Sequence, residues 1–289
     1  MTERLVREHR EGIGIGGQFD EVVVCFMNTG CEHEATLEFV DRCDRHFGWG
    51  VVWLEAVIHH GERKGSTHRV VTFETASRDG EPFEEYVRKY GLPNPVSKGC
   101  SNRLKEDVLK SYLREIEWGA FGQYVNAVGI RADEADRMSA AHMAKNVIYP
   151  MITWGMTKRA VGTAMRDWPF DLGIPGDHYG NCTWCWKKSL RKHLTLMKES
   201  PEVFDFPAKL ERLYADKTPG LAKADEDGIT RMFRGHRTTE DLRRLAEETD
   251  FEPYRDDPFD HGAELPQLDW LDVGGGCGES CEVFADESN

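Results

Sequence analysis

Long hydrophobic runs are absent from this 289-residue chain, and so is a surplus of basic residues. No window approaches the ~18 apolar residues that a membrane-spanning helix needs. Residues 1–11 are charged and lack the apolar stretch of a secretory leader. A cytoplasmic protein without membrane contact is therefore expected. Lys and Arg number 37 against 51 Asp and Glu, a net charge of −14. A bulk basic surface for duplex DNA or RNA is not supplied, so nucleic acid would be held only by a local basic patch. Internal repeats and low-complexity tracts are missing too. Cysteine is not scarce, with 8 residues. In a reducing compartment their spacing points to metal or redox chemistry before disulfides. Hydrophobic residues make up 39%, with 8 Trp, 14 Phe and 8 Tyr, which is ample for a core.

Residues 21–27 (EVVVCFM) read as a short strand buried on both faces. Residues 34–47 follow with Leu37 and Val40 on one helical face, and 51–57 (VVWLEAV) read as a second strand. Strand, helix, strand at this length is a βαβ unit, hence a parallel sheet. A further strand is expected at 69–74. A helix at 81–90 is stopped by Gly91 and Pro93. Residues 103–117 form a clearer amphipathic helix, with Leu104, Val108, Tyr112 and Ile116 at four-residue steps. Residues 124–130 (YVNAVGI) read as the next strand. Helices are expected at 157–168, 186–199, 201–214 and 239–249. The fold class is thus α/β with a mostly parallel, Rossmann-like sheet. The sheet domain spans 1–150 and a helical, Cys-containing region spans 151–249. An acidic Gly-rich tail follows over 250–289, extended unless a metal holds it.

Three segments carry candidate chemistry. Asn28-Thr29-Gly30 ends the first strand, where ligands bind in open α/β sheets. Gly30 permits a tight turn and the following helix offers free N–H groups. The plainer reading is a βα turn with a Thr cap. The second segment, 129–137 (GIRADEADR), also follows a strand. Arg131 and Arg137 suit an oxyanion, since guanidinium forks match phosphate or sulfate; with Asp133 and Glu134 they equally suit a surface ion-pair cluster. The third, 180–188 (GNCTWCWKK), is the strongest. Cys182 and Cys185 form a C-x-x-C pair able to reach one metal or cluster. Lys187 and Lys188 would favour the thiolate form or bind an anion. A single C-x-x-C is half a site. Candidate partners are Cys100, just before the third helix, and Cys277 and Cys281 in the tail. Cys25 and Cys43 read as core residues. Cys31 lies in the candidate ligand loop and stays open. His33 reads as structural, and Trp184 and Trp186 as packing beside the cysteines.

Together these pieces resemble the phosphoadenosine-phosphosulfate (PAPS) reductase family, within the adenine-nucleotide α-hydrolase-like superfamily, and in particular its unassigned phage and bacterial branch. NTGCEHEATLEFVDRC at 28–43 is similar to that branch's post-strand motif, which corresponds to the D-T-G motif of the reductases. CSNRLK at 100–105 is similar to the Cys-Cys-x-x-x-K segment, with one Cys where some members have two. GIRADEADR at 129–137 resembles the Arg-rich oxyanion segment, and GNCTWCWKKS at 180–189 resembles the C-x-x-C segment. The family's S-G-G-x-x-S phosphate loop is absent. Residues 1–6 would fit inside the helix that follows that loop. The Gly-rich stretch 12–17 lacks the serines and reads as a connecting loop. Either the start codon was assigned too far downstream, or the phosphate loop was lost. The second option predicts weak nucleotide binding and an exposed strand edge.

The resemblance implies a nucleotide over the carboxyl ends of the strands. Asn28, Thr29 and Gly30 would line its site, and Arg131 and Arg137 would hold its sulfate or phosphate. The substrate would be ATP or a sulfonucleotide, with a thiol or cluster donor protein as a further partner. Reductases attack the sulfonucleotide with a Cys on a C-terminal tail. The alternative route activates a substrate as an adenylate and delivers sulfur, often with an iron-sulfur cluster of the 4Fe-4S type. The reductase tail motif E-C-G-x-H is absent here, which makes Cys277 a doubtful nucleophile and favours sulfur transfer. Cys100, Cys182 and Cys185 would supply three ligands, with Cys277 or Cys281 as a fourth. The alternative, from a different class, is a non-catalytic binding protein stapled by structural zinc.

Overall fold

The computed structural model describes residues 1–61, 65–94, 97–118, 124–139, 146–216, 227–233 and 237–255. The chain opens with α1 (Thr2–Glu11), which buries Leu5, Val6 and Glu8 and ends at Gly12. The Glu8 carboxylate pairs with Arg4 at 2.8 Å and accepts the backbone amides of Ile15 and Gly16 at 2.9 and 3.2 Å. It thereby folds the Gly-rich loop back onto the helix. A Cβ on Gly16 would lie 2.1 Å from the Leu5 carbonyl oxygen, so only glycine fits that approach.

β1 (Cys25–Asn28) is shorter than its apolar run. α2 (Glu34–Phe47) follows, capped by the His33 ring and closed by Gly48, and leads to β2 (Val52–Ile58). β1 and β2 pair in parallel, from Cys25↔Val52 to Asn28↔Glu55, as a βαβ unit requires. β3 (Ser66–Val71) then pairs antiparallel with β2, from Trp53↔Val71 to Ile58↔Ser66. Its connection is too short to hold a crossover helix, so the chain returns as a hairpin. α3 (Glu81–Tyr90) packs on β2. A π-helical turn at Asn102–Glu106 runs into α4 (Asp107–Glu115). β4 (Asn126–Ala127) and β5 (Val147–Ile148) make a separate two-stranded parallel pair. The described strands thus form an α/β arrangement of one mixed three-stranded sheet and one small parallel pair.

The remaining elements are helical: α5 (Pro150–Thr153), α6 (Lys158–Met165), α7 (Leu190–Glu199), α8 (Asp205–Tyr214) and α9 (Thr239–Glu248). One apolar core runs through both parts of the chain. It joins Leu54 of β2, Val87 of α3 and Leu104 to Trp184, Leu194 of α7 and Leu242 of α9. Among the described residues no helix is long and apolar enough to cross a membrane. β1 has β2 on one side and, among the described residues, no strand on the other. A cavity of about 530 Å³ opens there, lined by Met1, Leu5, Val24, Leu113, Tyr124 and Ala127.

Candidate functional site

The loop leaving β1 is built on a buried carboxylate. Glu55 of β2 accepts the Asn28 side-chain amide at 2.6 Å and the Ser77 backbone amide at 2.6 Å. Arg69 of β3 donates two further bonds to it at 2.9 and 2.7 Å. The Asn28 amide also donates to the Ser77 carbonyl at 2.8 Å, and its oxygen accepts Gly30 N–H at 3.2 Å. Gly30 sits at φ 77°, and a Cβ there would meet Ser77 Oγ at 2.8 Å. Asn28 and Gly30 therefore shape the loop, with their polar groups spent on the scaffold.

Thr29 faces the other way. Its hydroxyl lies 2.9 Å from both Glu32 carboxylate oxygens and 3.3 Å from the Cys182 sulfur. Glu32 also accepts the Thr29 amide at 2.9 Å, and Lys105 Nζ stands 4.0 Å from it. An antiparallel bridge joins Glu32 to Cys182, and Thr183 N–H donates to the Cys31 carbonyl at 2.9 Å. The strand-end loop and the C-x-x-C loop, distant in sequence, are thus laced together. The C-x-x-C itself closes as a turn, with Cys185 N–H on the Cys182 carbonyl at 2.8 Å. His193 of α7 then donates through Nε2 to the Cys185 carbonyl at 2.9 Å.

Cys31, Cys100, Cys182 and Cys185 are all buried in the same core. Burial, with the nearby Cys182 and Glu32, pushes the Cys31 thiol well above its usual range, against the pull of Trp184 and Thr29. The indole N–H groups of Trp184 and Trp186 are buried and meet no oxygen or nitrogen acceptor, and that of Trp184 acts on the Cys31 thiol. A thiophilic metal or an iron-sulfur cluster suits this donor set: soft sulfurs, little water, and spare N–H donors for thiolates. Among the described residues no three His, Cys, Asp or Glu side chains already converge on one metal position. Cys277 and Cys281 lie outside the described residues. Cys25 and Cys43 are placed as packing residues, their thiols pushed by burial to about 12 and about 11.

The arginine segment forms a cluster among its own residues. Arg131 meets Asp133 at 3.1 Å and Glu134 at 3.2 Å, and Arg137 pairs with Glu134. Burial works against the Asp133 charge, but the Lys158 amide and Arg131 hold its carboxyl below the usual range. Lys158 continues the network to Asp177 at 3.3 Å. Asp177 in turn meets Lys192 of α7 at 3.4 Å and the Tyr254 hydroxyl at 2.9 Å.

Lys187, Lys188, Arg191 and Lys192 are all buried at the start of α7. Lys188 donates to the Gly180 carbonyl at 2.6 Å, which closes the C-x-x-C loop. Lys187 lies 5.5 Å over the Trp186 ring, with no carboxylate partner among the described residues. Glu32 joins the site without any spacing signal that pairs it with the C-x-x-C loop, whereas Lys105, beside it at 4.0 Å, is the lysine of the 100–105 segment.

No family model matches the chain, and no solved structure matches it. It is 28% identical over 270 residues to an uncharacterized nin region protein of Escherichia phage lambda, across 91% of this chain and 86% of that one. An uncharacterized protein of Methanocaldococcus jannaschii is 23% identical over 206 residues, 68% of this chain and 37% of its own length. An N-glycosylase/DNA lyase of Methanopyrus kandleri is 26% identical over 111 residues, 36% of this chain and 46% of its own length.

Proposed function

We propose that the chain is a PAPS-reductase-like enzyme acting on an adenine nucleotide or sulfonucleotide, in sulfur transfer or reduction with an iron-sulfur cluster. The meeting of the strand-end loop with the C-x-x-C loop, through Thr29 and Cys182 at 3.3 Å, is the observation that carries this reading. It brings a cysteine sulfur to the carboxyl end of β1, and ligands of open α/β sheets bind at such strand ends. The reading entails a larger, Rossmann-like sheet than the three-stranded one described. Cys100, Cys182 and Cys185 would hold the cluster, which when bound supplies an iron site or electrons for sulfur chemistry. Thr29 and Glu32 orient the Cys182 side, and Trp184 and Trp186 exclude water. Lys187 would attract the anionic end of the substrate.

A second reading is favoured by the arginines, whose charges are met by their own carboxylates. In it the chain is a non-catalytic binding protein stapled by zinc. Purification without oxygen, with assay of iron, acid-labile sulfide and zinc, separates the two. Iron and sulfide together with measurable nucleotide binding support the enzyme. Zinc without sulfide supports the staple. A metal-free protein with intact fold overturns both.

A further inference from the structure

Cys31 lies outside the C-x-x-C pair in sequence, yet the fold delivers it to that loop. It lies one residue before the Glu32–Cys182 bridge, and its carbonyl accepts Thr183 N–H at 2.9 Å. Its side chain is 8% exposed and shares a core with Cys100, Cys182 and Cys185. The Thr29 hydroxyl, 3.3 Å from the Cys182 sulfur, also interacts with the Cys31 thiol. A buried cysteine is commonly a small apolar filler. Here a second feature argues otherwise. Trp184, 3% exposed, directs its buried indole N–H to the Cys31 sulfur, and no oxygen or nitrogen acceptor meets it. An indole is a donor only, and a neutral thiol is a weak acceptor. A metal-bound thiolate is a strong one, and donors of this kind around metal sites orient and tune the ligand.

We infer that Cys31 is a ligand of the thiophilic metal centre held by Cys182 and Cys185, with Cys100 completing a four-sulfur set and the Trp184 N–H directed at the Cys31 thiolate. This rests on the reading that the C-x-x-C loop holds a metal or cluster. Binding requires the thiols to turn toward one point and to release their protons to solvent as the cation enters. The tail cysteines are then dispensable for metal.

The test uses the full chain carrying Cys277→Ser and Cys281→Ser, stripped of its own metal and reloaded with Zn²⁺, so that the sulfur neighbours counted are cysteine thiolates and not cluster sulfide. Chelator competition measures affinity, and X-ray absorption counts sulfur neighbours. Four sulfurs, and a loss of affinity of at least ~10-fold on adding Cys31→Ser, support the inference. Three or fewer sulfurs, or unchanged affinity in Cys31→Ser, overturn it. If Cys31→Ser does not fold, Trp184→Phe keeps the ring and removes the N–H. A loss of ~10–100-fold is expected there, and unchanged affinity overturns the inference. Metal absent from the unsubstituted protein, or retained in full by Cys182→Ser, instead overturns the parent reading. Loss of the Cys31 effect alone leaves that parent reading standing.

Discussion

Cys182→Ser and Cys185→Ser each remove a sulfur from a loop held by Thr29, His193 and Lys188 and by the bridge to Glu32. Each variant is expected to lose metal and to destabilise the helices around α7. Metal analysis with circular dichroism checks this, and full retention of metal in both removes the C-x-x-C as a site. Cys43→Ala is the matched control, since Cys43 is a fully buried residue of α2; its metal content should not change. Arg131→Ala carries the nucleotide half of the proposal. A lost charged hydrogen bond is worth about 1.5–3 kcal/mol, and calorimetric titration with a sulfonucleotide or ATP should show a loss of that order. Unchanged affinity assigns Arg131 to its pairing with Asp133 and Glu134 alone. The C-x-x-C was legible because two thiols at that spacing have a specific chemical use. The role of Asn28 was not, because its partner Glu55 is set by the parallel register of β1 on β2. No local pattern in either segment announces that pairing.

Helices are more fully legible in the sequence than strands. The helix expected at 81–90 is α3, Glu81–Tyr90, because Gly80 and Gly91 bracket a strongly amphipathic run. The strand expected at 124–130 pairs only at Asn126–Ala127. Strand pairing depends on a partner edge, which apolar content does not reveal. Helix ends also carry chemistry of their own. Glu211 of α8 accepts the Thr239 amide at 3.2 and 2.9 Å, capping α9 from outside. Burial raises the Glu211 carboxyl from 4.5 to about 7. Between these values the folded state holds a proton that the unfolded chain has released. Stability therefore falls as pH rises through this window, by on the order of 3 kcal/mol. Glu211→Gln keeps an accepting oxygen and removes the titration. Its urea midpoint should be flat from pH 4.5 to 7 relative to the parent protein and higher at neutral pH. A parent midpoint that rises over the same window would contradict the buried, proton-holding cap.

Sequence patterning separates a sheet-forming part before about residue 150 from a helical part after it, and the two parts share one core. Leu54 and Val87 lie in the first, Leu194, Phe204 and Leu242 in the second, and all are fully buried in the same cluster. The C-x-x-C loop sits at their junction, bridged to the β1 loop. A site assembled from both parts exists only while both are folded, so loss of either part should abolish it. Buried leucines cut to alanine typically cost ~2–5 kcal/mol, and Leu194→Ala should fall in that range. The shared core predicts more than the size of the loss. Because Leu194 packs into the same core as the sheet's Leu54, the substitution should lower one common unfolding midpoint. Hydrogen exchange of β2 amides and of α7 amides, followed through urea, would then shift together by the same free energy. Two separated transitions, with β2 unmoved by Leu194→Ala, would mean that the sheet stands alone. The candidate site would then be a contact between independent units and not a product of one cooperative fold.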